Sequence, residues 1–205
     1  MRRTALLLAS SLVLGVQPVL AFPIAPVGTE CRLVIAGGSA PVVATYLGNS
    51  ATFSNNLFLM LTAGGTPGDD GDKTNDLFIF NNQTSAVNSQ VTLGSFASGT
   101  ELIFRLEVTN TGNNYFSGPS SRNADGKCHA RVQNEYAPGT TLVSFEDLEN
   151  TPEGDSGYND LSFSFTNTVS SAVVPEPATN ALLLVGLVAL CRVRRRRTPA
   201  DVPLP

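Results

Sequence analysis

The chain has 205 residues, no tryptophan and a single histidine, His129. It has only three cysteines and two methionines. A lone histidine excludes multi-histidine zinc sites. The missing tryptophan removes the commonest platform for stacking a sugar ring and leaves Tyr115, Tyr136 and Tyr158 for that task. No Gly-x-Ser-x-Gly elbow occurs, so a Ser-His-Asp triad around His129 lacks its usual turn. A glycoside hydrolase would need a carboxylate pair, such as Glu146 with Asp155, facing across a sugar cleft. His129 reads as a packed or hydrogen-bonded side chain, and the chain as a non-enzyme.

Positive charge is also scarce where a globular domain would sit. Seven of the 13 basic residues lie in the terminal segments, as do two of the 17 acidic ones. Between Phe22 and Val174 six basic residues remain (Arg32, Lys73, Arg105, Arg122, Lys127, Arg131) against 15 acidic ones, a net charge near −9. Such a domain repels nucleic acid and anionic membrane surfaces and attracts cations.

What is present at the ends is organised. Arg2 and Arg3 precede an apolar run from Ala5 to Val16, then Val19-Leu20-Ala21. This pattern is a secretory signal peptide over residues 1–21. At the other end Pro175, Glu176 and Pro177 lead into an apolar run from Ala178 to Cys191. Arg192, Arg194, Arg195, Arg196 and Arg197 follow. The run of about 14 residues makes roughly 21 Å of helix against a hydrocarbon core of about 30 Å. It is short for a permanent anchor, and the arginines hold its far end in the cytoplasm. A plain single-pass anchor is the alternative.

The order of triplet, short apolar segment and arginine cluster resembles the PEP-CTERM sorting signal of Gram-negative bacteria. The resemblance implies transient insertion in the inner membrane and recognition by an exosortase. It also implies cleavage near the triplet and delivery to the cell surface, extracellular matrix or biofilm. The tail at 198–205 departs from the pattern, since such signals usually end close to the basic cluster. These limits leave residues 22–174 as the exported domain and 175–197 as the sorting segment.

About 150 residues suit one domain with a sizeable core. Short candidate strands are Cys31–Ala36, Val42–Leu47, Leu57–Thr62, Leu77–Phe80, Gln90–Phe96, Glu101–Thr109, Thr141–Phe145 and Leu161–Phe165. In Glu101–Thr109, Leu102, Phe104, Leu106 and Val108 alternate with Arg105, Glu107 and Thr109. Leu57–Thr62 is continuously apolar and suits a strand buried on both faces. Turn clusters such as 64–68 and 111–114 separate the strands, Phe22–Thr29 reads as a proline-containing linker, and 166–174 as a polar lead-out. No capped amphipathic helix and no repeat is evident. The pattern predicts an all-β fold, an antiparallel, jelly-roll-like β-sandwich, followed by an apolar sorting helix. In an oxidising compartment Cys31 and Cys128 pair in a disulfide; two separate buried thiols are the alternative.

The chemistry concentrates between the last two strands. Residues 146–160 hold Glu146, Asp147, Glu149, Glu153, Asp155 and Asp160, with no lysine or arginine from Arg131 to Arg192. Crowded carboxylates disfavour joint ionisation, and Ca²⁺, a hard cation taking flexible oxygen ligands, would relieve this. The stretch from Tyr115 to Phe165 is similar to an extracellular bacterial domain of unknown function found ahead of such sorting signals. The similarity rests on Asn123, Asp125, Gly126 and His129, then Phe145 to Leu148, then Gly154, Asp155, Tyr158, Asn159 and Asp160. It makes metal binding plausible for a β-rich extracellular module. The candidate ligands of one Ca²⁺ are Asp125, Glu146, Asp147, Asp155, Asn159 and Asp160; a solvated acidic loop is the alternative. A second acidic loop, with Asp69, Asp70, Asp72 and Asp76, lacks the glycine and closing glutamate of an EF-hand, where Asn75 and Asn81 stand. It reads as a solvated hairpin tip. The functional expectation is a structural or adhesive surface protein. A carbohydrate-binding module for extracellular polysaccharide is the alternative, and a glycoside hydrolase has the least support.

Overall fold

The computed structural model describes residues 21–149 and 157–171. The signal peptide up to residue 20, Asp155, the sorting segment with Pro175, Glu176, Pro177 and its five arginines, and the tail lie outside the described residues.

Among the described residues, twelve strands form three antiparallel sheets with no α-helix. The five-stranded sheet has the order β5 (Gln90–Ser95), β2 (Pro41–Gly48), β11 (Leu161–Thr166), β10 (Thr140–Phe145), β9 (Ala130–Ala137). The four-stranded sheet has the order β4 (Leu77–Asn81), β3 (Asn55–Leu59), β7 (Phe104–Val108), β8 (Asn113–Phe116). A small sheet pairs β12 (Thr168–Ser171), β1 (Leu33–Ala36) and β6 (Glu101–Leu102). This is the all-β, sandwich-like architecture that the alternating short strands predict.

The two larger sheets meet through aromatic side chains. Phe104 stacks on Phe165 with centroids 4.1 Å apart, and Phe80 lies parallel to Phe163 at 5.9 Å. Tyr46 packs on both Phe80 and Phe163. Leu57, Leu59, Leu106, Val108, Val143 and Phe145 fill the same core with no exposure. Each aromatic pair contributes about 0.5–1.5 kcal/mol beyond its buried area.

The strand expected over Glu101–Thr109 is two strands in different sheets. Leu102 pairs with Val34 of β1, whereas Phe104 pairs with Leu59 of β3, and Ile103 turns the corner between them. The alternation runs unbroken through this corner because both sheets face one core. A second corner separates β11 from β12 at Asn167, which sits at φ 53 and donates from Nδ2 to the carbonyls of Gly38 and Ala40. Asparagine tolerates the left-handed region through such local hydrogen bonds. The polar lead-out therefore contains a strand, β12, that pairs along β1. The turn cluster at 111–114 likewise runs into β8, whose Asn113 and Asn114 pair with Val108 and Glu107.

Phe22–Thr29 is a strap and not a linker. Ala25 is buried and its N–H donates to Ser144 Oγ at 2.9 Å, while Ser144 Oγ also meets Ser162 Oγ. Phe22 packs so closely on Gly48 (φ 138) that a Cβ there would lie 2.8 Å from the phenylalanine Cβ. The strap ends where Val132 N–H donates to Thr29 O and Glu30 pairs with Arg131 at 2.7 Å. Pro23 and Pro26 have no N–H to give a ladder, so the segment covers the sheet and pairs with it only at its end, where Glu30 bridges Arg131.

Candidate metal centre

β10 and β11 pair in register down to Phe145 opposite Leu161. The residues just past that end are therefore neighbours, although they are far apart in the acidic segment. Asp160 N–H donates to Phe145 O, and Asp147 N–H donates to Asp160 Oδ2 at 2.8 Å. One oxygen from each of Glu146, Asp147 and Asp160 lies within 4.8 Å of the others. Glu146 and Asp147 are buried, at 2% and 4% exposure.

Backbone groups hold the trio in place. Glu146 Oε1 accepts from Leu148 N–H and its Oε2 from Tyr158 N–H, both at 3.1 Å. Asn55 reaches in from β3 and donates from Nδ2 to Asp147 Oδ2 at 2.7 Å. Asn55 has no exposure, and its Oδ1 has no hydrogen-bond partner among the described residues. A buried acceptor left without a donor costs about 1–3 kcal/mol. A cleft of about 310 Å³ opens beside the trio, lined by Ser50, Thr52, Phe53, Asp147, Leu148, Asn159 and Asp160. The donor set is all oxygen, which suits a hard divalent cation.

Burial pushes the Asp160 carboxyl up to about 6; the N–H of Asp147 pulls it back, and the charge of Glu146 adds to the rise. An acid whose folded value exceeds its unfolded value of 3.8 binds more protons in the native state between the two. Its contribution to stability is then complete below 3.8 and lost as pH rises through about 6. In EDTA, the melting midpoint should therefore fall from about pH 4 to about pH 7 more steeply in the wild type than in Asp160→Asn. Parallel pH profiles for the two proteins would show that Asp160 is not strained by its neighbours.

Of the other candidate ligands, Asn159 lines the cleft, and its backbone carbonyl accepts from Ser50 N–H and Oγ–H. Asp125 stands outside the trio. Its Oδ1 accepts from Lys127 N–H and its Oδ2 faces His129 Nε2 at 3.0 Å. The opposite ring nitrogen of His129 donates to Glu146 O at 3.0 Å, and the buried ring stacks on Tyr115 with centroids 3.8 Å apart. The histidine is thus a packed strut between Asp125 and the acidic trio. Tyr158 braces the same corner. It sits at φ 71, its ring lies under the Arg131 guanidinium, and its hydroxyl donates to Cys128 O at 2.6 Å. Burial pushes that phenol up to about 12. A non-glycine residue in this region costs on the order of 1–3 kcal/mol and persists only where contacts over-determine it.

The second acidic loop is organised by its own hydrogen bonds. Asp70 accepts from the N–H groups of Asp72 and Ala63 and from Asn75 Nδ2; Asp72 accepts from Thr74; Asp69 accepts from Gly71. The Asp72 N–H is the main cause holding Asp70 below the usual carboxylate range, and the Thr74 hydroxyl does the same for Asp72. Asp76 turns away from this loop and into the sheet. Sequence reasoning missed Asn55, because an Asn-Asn pair ahead of an apolar run reads as a turn. Its contact with Asp147 spans 92 residues.

The family model for the PEP-CTERM protein-sorting motif matches residues 173–197. No curated protein and no solved structure matches the chain. The chain therefore carries a PEP-CTERM sorting signal, which marks it as an exported, exosortase-targeted bacterial protein. Its processing partner is an exosortase, and its destination is the cell surface or the extracellular space.

Proposed function

We propose that the chain is a structural or adhesive component of the surface or exopolysaccharide matrix of a Gram-negative bacterium, exported across the inner membrane and stabilised by calcium. The observation that carries the calcium reading is the meeting of the buried Glu146 and Asp147 with the half-buried Asp160, beside Asn55 Oδ1, which has no partner among the described residues. An ion there would offset carboxylate repulsion at the end of β10 and β11, and a small side-chain shift would give Asn55 Oδ1 a partner. Asp155 and Asn159 remain candidates for the same ion. A non-enzymatic role is supported by the burial of Glu146, the residue a hydrolase would use, at 2% exposure.

Thermal melts of the exported protein in millimolar Ca²⁺, in Mg²⁺ and in EDTA test this. Ligand at 100 times its Kd adds about 2.7 kcal/mol, and each kcal/mol moves the midpoint of such a domain by roughly 2–4 °C. We expect a calcium-specific rise of about 5 °C or more, absent in Asp160→Ala. Equal midpoints in Ca²⁺ and EDTA would make the trio a self-bonded loop end and leave the disulfide as the main staple.

A further inference from the structure

The outer face of the four-stranded sheet carries two side-chain rows that the calcium reading does not use. Cross-strand register places Phe78 (β4), Phe58 (β3), Arg105 (β7) and Phe116 (β8) side by side across all four strands. The next row is Asn81, Asn56, Glu107 and Asn114 in the same order. At about 4.8 Å per strand each row spans roughly 14 Å.

The first row is aromatic around a guanidinium. Phe78 is 50% exposed and meets Phe58 edge-on, with centroids 5.6 Å apart at 71°. The Arg105 guanidinium, itself buried, lies 4.2 Å from the Phe58 centroid and is held by Asp76 at 2.9 Å and by Asn114 Oδ1 at 2.8 Å. The second row is a chain of amides and a carboxylate. Asn81 Nδ2 donates to Asn56 Oδ1 at 2.8 Å, and Asn56 Nδ2 donates to Glu107 Oε2 at 3.0 Å. The core does not need these aromatics, since Leu57, Leu59 and Phe80 supply it from the opposite face. Phe78 is the exposed member of the pair and Phe58 the half-buried one, and an exposed ring braced in this way on a polar sheet is a recognition feature and not a packing one.

A pyranose ring has an apolar C–H face and a rim of hydroxyls. The first row presents the exposed Phe78 ring for such a face, and the second, two residues along the strands, presents the Asn56 amide and the Glu107 carboxylate, while Asn81 and Asn114 are engaged by their neighbours and fix the row. The net charge near −9 between Phe22 and Val174, with Glu107 on the face itself, disfavours polyanions. We propose that this face binds a neutral polysaccharide, with Phe78 stacking on the sugar, Phe58 bracing that ring, and Asn56 and Glu107 bonding the sugar hydroxyls. The brace under Phe58 sets the ring before the ligand arrives, which lowers the ordering cost of binding.

The test is affinity electrophoresis and calorimetry of the exported protein in EDTA. The ligands are mixed-linkage β-glucan, galactomannan and dextran, with alginate as the polyanion. Phe78→Ala and Glu107→Gln are compared with Val27→Ala, an exposed apolar residue on the strap. We expect retention by at least one neutral polysaccharide, a weakening of about tenfold or more in Phe78→Ala and Glu107→Gln, and no change in Val27→Ala. Retention by none of the three, equal retention of all variants, binding confined to alginate, or sedimentation showing the face closed by a second copy would each overturn the proposal. None of these outcomes depends on the calcium melts, so the two readings fail separately.

Discussion

Replacing both Cys31 and Cys128 by serine should lower the melting midpoint of the exported protein by roughly 8–16 °C. The bond joins residues 97 apart, with Cα atoms 5.2 Å from each other, inside the usual range for a bridge. On the chain-entropy model, closing a loop of that length removes about 4 kcal/mol of unfolded-state freedom, and each kcal/mol moves a domain of this size by about 2–4 °C. The location adds to the length. Cys31 lies between the strap and β1, at φ 59, and its N–H donates to Ala130 O; Cys128 lies just before β9. The bond therefore fastens the strap to the edge of the five-stranded sheet, beside the Glu30–Arg131 pair and the carbonyl that Tyr158 holds. Oxidised and double-serine proteins compared by calorimetry decide it. A drop below about 4 °C would mean that the unfolded chain without the bond already keeps the two ends close, so that the bond removes little freedom.

Legibility in the sequence followed the physics of each signal. Alternation marked β5, β10 and β11, because one face of each strand meets the core, and β-branched and aromatic content marked β2. It could not mark the corner at Ile103, since the alternation of Leu102 and Phe104 passes unchanged from one sheet to the other. It failed at β12, which is made of small and hydroxyl side chains and needs only an unpaired edge of β1. The run from Leu57 read as buried on both faces, yet Phe58 looks outward over Arg105; apolar character alone does not say which side is dry. The acidic segment was legible as crowded charge. Register then selected Glu146, Asp147 and Asp160 as the residues that share one sheet end, and placed Asp125 behind His129. The contribution of Asn55 depends on the other sheet lying across the core, which no local pattern carries.

The Asp76→Ala variant should lose about 3–5 kcal/mol in urea unfolding, because it strands a buried guanidinium. Arg105 and Asp76 are 2% and 0% exposed in their side chains, and Nε meets Oδ2 at 2.9 Å. Asp76 Oδ1 also accepts from Leu61 N–H, so its loss opens a backbone donor as well. The nearest alternative for the cation is Glu107, at 4.0 Å and partly exposed. Breaking a buried pair and replacing it are different experiments. In Asp76→Ala with Arg105→Met, no charge is left behind and an unbranched apolar chain fills much of the guanidinium's space; such exchanges are often neutral or stabilising. We expect the double variant to recover most of what the single one loses. If it does, the pair is not kept for stability, and its remaining work is to seat Phe58. The double variant should then stay folded yet bind neutral polysaccharide as poorly as Phe78→Ala. A double variant as unstable as Asp76→Ala would instead make the ion pair structural. Full binding in a stable double variant would show that Phe58 needs no cation beneath it.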